Sequence, residues 1–327
     1  MKPEEIQETA VSFQKSRILL TAYELNIFSA LGKEYYSAAS LAEQLNLNEQ
    51  ATERLLNALV AMELLIKNET GFGNTTDSWR YLAKESDAYM SGLMHTGHLW
   101  HTWSELTDVI RSGQAAHTPT INERGEEWLK AFIRAMHFRG MKQAPSQVAN
   151  IDLENTDSVL DVGGGSGVYS MALIKQKPSL RATVFDLPSV APIAKDIIEN
   201  EGFTGKIRLH EGDYTQNELP TGFDLTFLSA IIHSNTADTN KALLLKCYKS
   251  LNPGGRIVIQ DWIMNTDKTE PLQGAIFSIN MLVGVKGGDC YSTNEVSQWM
   301  KDAGFTHITK HALDRGLSQM TATKPRG

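Results

Sequence analysis

The segment Val159-Leu-Asp-Val-Gly-Gly-Gly-Ser-Gly-Val-Tyr-Ser170 constrains this chain most. An apolar strand runs directly into a glycine loop and then into a helix. Glycine is required where the backbone turns sharply and where a bulky ligand must approach the main chain with no Cβ in the way. That is the layout of a nucleotide-cofactor site in an α/β fold. Spacing then selects among cofactors: from Gly163 the glycines fall as G-x-G-x-G, whereas a dinucleotide fingerprint needs G-x-G-x-x-G. No phosphate-cradling lysine follows, which excludes a P-loop.

Further strand-like runs follow in order. Ala182-Thr-Val-Phe-Asp186 ends in a carboxylate 19 residues after Gly167, where a doubly wound sheet places the acid that receives ribose hydroxyls. Ile207 to Asp213-Tyr214 ends in an acid and an aromatic ring, suited to an adenine amino group and its ring face. Phe223–Ser229 is continuously apolar and leads to Ile231-Ile232-His233. Arg256–Asp261 follows a helix and a turn at Asn252-Pro-Gly-Gly255, and again ends in an acid. Ligands of open parallel sheets bind beyond the carboxyl ends of the strands, so Gly163, Asp186, Asp213, His233 and Asp261 are expected to converge.

The chain of 327 residues with net charge −7 is long enough for two cores. Its two cysteines, Cys247 and Cys290, are too few for a disulfide framework and lack metal-ligand spacing, which favours a reducing compartment. No signal-like start or membrane-length apolar run is seen, so the cytoplasm is the expected location and no membrane partner is expected.

Residues 1–86 read as short helices. Ser37–Leu45 and Asn48–Val60 make a helix-turn-helix pair, and Leu64–Lys67 with Trp79–Leu82 would flank Gly71-Phe-Gly73 as a β-wing. A winged helix raises DNA binding, but Glu49, Glu53 and Arg54 on the second helix match phosphate poorly, and no nucleic-acid partner is expected. The alternative use of these helices, with Ile18–Phe28, is a dimer interface. Residues 87–150 form a connection of two helical patterns around a polar loop from Gly113 to Gly125, and residues 151–327 the cofactor domain. His95, His98 and His101 spread over ~120° of a helix, but no carboxylate or cysteine accompanies them, so no metal is expected. Trp100 and Trp103 read as walls of an organic pocket; Phe132, Met136 and His137 could line the pocket or pack the core. His210 reads as structural. His233, at the mouth of the sheet with Asp261 ending the adjacent strand, reads as a base: a carboxylate on one ring nitrogen leaves the other free for a proton.

Leu160-Asp-Val-Gly-Gly-Gly-Ser-Gly, Phe185-Asp-Leu-Pro, Glu211-Gly-Asp-Tyr, His233 and Leu251-Asn-Pro-Gly-Gly-Arg, behind a helical winged N-terminal domain, resemble the class I S-adenosylmethionine-dependent O-methyltransferases of the caffeic acid and acetylserotonin type. The resemblance spans nearly the whole chain. It implies an α/β, Rossmann-like doubly wound sheet with an N-terminal helical winged-helix dimerisation domain that closes over the partner's pocket. It implies S-adenosylmethionine as cofactor and S-adenosylhomocysteine as product. Asp161, Gly163, Gly165, Asp186, Leu187, Asp213, Tyr214 and Ser229 would then lie at the cofactor, Gly163 at its methionine end. His233 would be the general base and Asp261 the acid orienting it. Trp100, Trp103, Phe132, Met136, His137, Phe277, Asn280 and Met281 would line the acceptor pocket.

The chain departs from the plant pattern in three places. Ser229 replaces a cofactor-contacting lysine, Ser234-Asn-Thr-Ala-Asp238 replaces the run after the histidine, and Cys290 stands where a second acid flanks the histidine, with Asp289 adjacent. These changes resemble the bacterial branch. The expected reaction is direct displacement onto the hydroxyl of a small aromatic or polyketide-like acceptor, with the reacting atoms aligned and water excluded. A phenol, with a pKa near ~10, need only lose its proton as the methyl moves. Methylation of carbon on a similar molecule, and a winged-helix regulator or cofactor-binding protein without transfer, are the alternatives.

Overall fold

The computed structural model describes residues 1–116 and 125–327, so most of the polar loop expected between Gly113 and Gly125 lies outside the described residues. The chain divides into two compact units, Met1–His101 and Thr102–Gly327. The division falls within the segment 87–150 that the sequence marks as a connection.

The first unit is helical. Helices Phe13–Glu24, Ile27–Leu31, Ala38–Leu45 and Glu49–Ala61 gather Phe28, Leu41, Leu56 and Leu59 into a core. The helix-turn-helix pair starts where the sequence puts its caps: the Ser37 hydroxyl accepts from the Ser40 N–H at 3.1 Å and the Asn48 amide oxygen from the Ala51 N–H at 2.9 Å. Each such cap typically stabilises a helix by about 1 kcal/mol. The wing differs from expectation. Strand β1, Leu65–Asn68, pairs antiparallel with β2, Gly71–Asn74, while Trp79–Leu82 lies in the helix Thr76–Leu82. Thr75 decides this by capping that helix through Ser78 N–H at 3.1 Å, which overrides the strand preference of Trp and Tyr. Gly71 is required in the hairpin: its φ is +141°, and a Cβ there would sit 2.2 Å from the Tyr36 carbonyl oxygen.

The second unit is a seven-stranded sheet. Strands β3 (Ser158–Val162), β4 (Arg181–Asp186), β5 (Ile207–Glu211), β6 (Phe223–Ser229), β7 (Leu251–Asp261), β8 (Thr306–Ala312) and β9 (Ser318–Thr323) stand in the order β5-β4-β3-β6-β7-β9-β8. Only β9 runs against its neighbours. Helices cover both faces, so the central strands are apolar on both sides: Val159, Phe227 and Val258 pack on one, Leu160, Leu228 and Ile259 on the other. Burying one such side chain contributes roughly 1.5–3 kcal/mol. Asn252–Gly255 does not interrupt β7. The register instead jumps from Phe223 opposite Leu251 to Leu225 opposite Arg256, and Gly254 at φ +82° absorbs the bulge.

The order reverses between β3 and β6, where the chain leaves in opposite directions. This opens a crevice above the strand tips.

Candidate active site

At the tip of β3 the glycine loop is shaped on three sides. Gly163, Gly165 and Gly167 all have positive φ, at +67°, +56° and +74°. A Cβ on Gly163 would displace the Ile231 tip, whose Cδ1 lies at 2.3 Å, and one on Gly164 would press on the Asp161 carboxyl carbon at 2.6 Å. Asp161 is fully buried beneath the loop and accepts from the Ser170 hydroxyl at 2.7 Å. Burial pushes its carboxyl up to about 7, the Ser170 hydrogen bond opposing this and the charge of Asp186 adding to it.

Asp186, at the tip of β4, accepts from the N–H of Gly165 and of Leu187, both at 2.7 Å. The loop, the acid and Leu187 therefore form one rigid corner. Burial raises the pKa of Asp186, against the pull of those two donors.

After β5, Asp213 turns inward on its own chain: Oδ1 accepts from the Thr215 N–H and hydroxyl, at 2.8 and 2.6 Å, and Oδ2 from Gln216 at 3.2 Å. The Tyr214 hydroxyl donates to Asn235 Oδ1 at 3.1 Å. Asn235 in turn donates to Asn240 at 3.1 Å, and Asn240 to the Ile232 carbonyl at 2.8 Å, a buried chain that holds the turn bearing His233.

That turn is a short 3-10 helix, Ile232–Ser234, directly after β6. His233 is 8% exposed, and its Nδ1 lies 2.7 Å from Asp261 Oδ1 at the tip of β7. A carboxylate only accepts, so Nδ1 carries the hydrogen, and in the neutral ring Nε2 then keeps its lone pair. The Trp262 N–H also donates to Asp261 Oδ1, at 2.9 Å. The imidazole ring meets Phe277 edge-on at 4.9 Å and Trp262 at 5.8 Å, and those two rings stack at 3.9 Å. The Asp289 N–H donates to the His233 carbonyl at 3.0 Å.

The positions that replace the plant residues are also defined. Ser229 accepts from Gln260 at 3.1 Å, within a buried set in which Tyr169, Gln260 and Gln319 all donate to Gln147, to its side chain or carbonyl. The Asp289 carboxylate faces Ser278 at 2.8 Å and Lys268 at 2.9 Å, not the imidazole. Cys290 is buried, and desolvation first, then the charges of Asp261 and Asp289, push its thiol up to about 12.

Of the other expected pocket residues, Trp103 and Asn280 meet directly, the indole N–H donating to Asn280 Oδ1 at 2.9 Å. Met281 is buried on the same helix, Leu272–Gly284. The structure brings Phe277 to the His233 side and puts others elsewhere. His137 meets the glycine loop instead: its Nδ1 is 3.0 Å from the Ser166 hydroxyl and its Nε2 is 3.7 Å from Glu201. Desolvation lowers its pKa, Glu201 opposing. Phe132 stacks on Trp128 at 5.1 Å against the sheet's core, and Met136, half-buried, lies on the same helix, Glu126–Val148. Trp100 belongs to the first unit, where it packs at 6.1 Å from Phe13 and under Arg17 at 5.6 Å. No group of three His, Cys, Asp or Glu side chains placed to hold a metal occurs among the described residues.

Residues 103–306 match the O-methyltransferase domain family, and residues 7–84 the O-methyltransferase dimerisation domain. The chain belongs to the O-methyltransferase family. It is similar to the 3-hydroxy-5-methyl-1-naphthoate 3-O-methyltransferase of Streptomyces sahachiroi, at 30% identity over 94% of this chain and 90% of that one. It is equally similar, at 30% over 93% and 92%, to the acetylserotonin O-methyltransferase of Bos taurus. The solved human N-acetylserotonin methyltransferase in complex with S-adenosylmethionine superposes with a TM-score of 0.85 at 26% identity, over 98% of this chain and 97% of that one.

This O-methyltransferase is thus an S-adenosylmethionine-dependent enzyme on the class I methyltransferase fold. Its residues fit that cofactor. Unlike its neighbours, Gly165 faces open space, where a Cβ would find only Ile133 Cδ1 at 3.9 Å. Beside that opening stands the Asp186 carboxylate, an acceptor for paired hydroxyls. The sequence reading missed Trp262, Asn235 and Ser166. Trp262 directly follows the acid that ends β7, and that adjacency was its available signal; Asn235 and Ser166 gave none, because Tyr214 and His137, which they meet at the site, lie 21 and 29 residues away.

Proposed function

We propose that this methyltransferase alkylates a hydroxyl of a small aromatic or polyketide-like acceptor, with His233 as general base and Asp261 as the acid that orients it. The observation that carries the reading is the His233–Asp261 pair at 2.7 Å, closed on one side by Phe277 and Trp262. Asp261 fixes the tautomer that leaves Nε2 able to take the acceptor's proton, and the aromatic wall keeps water from competing. S-adenosylmethionine, when bound, supplies a methyl group already activated on a sulfonium. The chain's own tasks are then to seat it and to prepare the acceptor. Gly163 and Gly165 allow close approach at the methionine end, Asp161 supports them from below, and Asp186 with Leu187 takes the ribose. Asp213 and Tyr214 take the adenine, and Ser229 stands near the strand tip in place of a cation. Trp103, Phe277, Asn280 and Met281 wall the acceptor.

Relatives that act on a hydroxynaphthoate and on acetylserotonin support an aromatic acceptor. The dimerisation domain at residues 7–84 supports a homodimer.

The test is His233→Ala, measured with isotope-labelled cofactor against a panel of phenols and naphthols, reading by NMR whether the label sits on oxygen or carbon. We expect turnover to fall about 10²- to 10⁴-fold with cofactor Kd unchanged. Undiminished turnover removes His233 from the reaction, and label on carbon replaces O-methylation with C-methylation.

A further inference from the structure

We propose that Trp103 fixes the amide of Asn280 so that its NH2 group faces the acceptor, and that the acceptor therefore carries a carbonyl oxygen on the ring system bearing the methylated hydroxyl. The inference rests on the proposed function in one respect: the acceptor occupies the space in front of His233. An indole N–H can only donate, so the atom 2.9 Å from Trp103 Nε1 must be the amide oxygen of Asn280. This settles which end of the amide points where. Both hydrogens of Nδ2 are left without a hydrogen-bond partner among the described residues, on a half-buried side chain.

The direction follows from the helix. Asn280 is three residues after Phe277, hence on the same face of Leu272–Gly284 and about 4.5 Å further along its axis. Phe277 is the ring that meets the His233 imidazole at 4.9 Å. The donor thus stands one helical turn along from the ring that touches the base, a spacing that suits an acceptor of one or two fused aromatic rings.

Neither partner is free to adapt. Trp103 packs with Leu106, Val109 and Leu282, and Ser278 ties the helix to Asp289 at 2.8 Å, which fixes its rotation. A neutral carbonyl suits this donor better than a carboxylate. Lys268, the cation that meets this helix's partner Asp289, is already shared between Asp289 at 2.9 Å and Glu295 at 3.2 Å.

The experiment measures binding to the complex with S-adenosylhomocysteine, so that it does not depend on turnover. Acetylnaphthols with different spacings between hydroxyl and acetyl are each compared with the ethylnaphthol of the same substitution pattern. At least one acetyl compound should bind about two- to tenfold more tightly than its ethyl counterpart, the range of one ordinary hydrogen bond. Asn280→Leu keeps the side chain's shape and Trp103→Phe keeps its packing; each should bring that ratio to about one. An unselective wild type, one that binds neither series, or a preference that survives both substitutions overturns the proposal. If acetylnaphthols bind selectively in a manner sensitive to both residues yet receive no methyl group, the proposed function fails and the Asn280 assignment stands.

Discussion

Asp161 shows how a single side chain under the cofactor loop couples acidity to folding. Its ordinary value is 3.8, and burial lifts it to about 7 in the folded chain, so folding favours the protonated form. The stabilisation is complete below pH 4 and is lost as pH rises through 7. Asp161→Asn has nearly the same shape but does not titrate. The melting temperature of the apoprotein should therefore fall relative to that of the variant between about pH 4 and 7, by the equivalent of about 2–4 kcal/mol at most. Parallel melting curves across that range would exclude Asp161 as the titrating group. At this scale, sequence reading works where chemistry is local to a strand tip. Asp161, Asp186, His233 and Asp261 all lie at positions that a parallel sheet carries to one edge. It fails for His137, whose partners are a serine 29 residues later and a glutamate on another helix. Only the packing of helix Glu126–Val148 shows that this ring attends the glycine loop.

Adjacent glycines in one loop should fail in different ways. Gly164→Ala forces a methyl group against the buried Asp161 carboxylate at 2.6 Å, a collision that is expected to cost about 1–3 kcal/mol and several degrees of melting temperature. Gly165→Ala meets almost nothing, and its φ of +56° costs only about 1 kcal/mol. Its methyl would enter the space assigned to the cofactor. Calorimetry should therefore show at least tenfold weaker cofactor binding for a variant whose fold is nearly intact; unchanged affinity would place the cofactor elsewhere. Element types were legible for the same reason that this loop was. Strands β3, β4, β6 and β7 are largely apolar runs bounded by glycine or acid, and the paired helices of the first unit begin on Ser37 and Asn48. The wing was misread at Trp79–Leu82 because three bulky residues resemble a strand until Thr75 is recognised as a cap. The turn at Asn252–Gly255 was misread because a bulge uses the same residues.

Across the molecule, the N-terminal helix Pro3–Val11 has little internal support: none of its residues is buried, and Ile6 and Val11, with Phe13 at the start of the next helix, remain about half exposed. A homodimer built through the dimerisation domain would cover them. Light scattering should give twice the chain mass, and Ile6→Asp with Phe13→Asp should shift it towards the monomer while leaving the melting of the second unit in place; an unshifted dimer would locate the interface on other residues. No helix among the described residues is long and apolar enough to cross a membrane. The strand order has its own consequence. Most of the residues proposed at the donor follow β3, β4 and β5, whereas Trp262, Phe277 and Asn280 all belong to the single excursion between β7 and the helix Thr293–Asp302. An ancestral fold arranged this way could exchange much of one clientele of hydroxylated compounds for another by rewriting some thirty contiguous codons together with that of Trp103, without disturbing the half proposed to grip the donor.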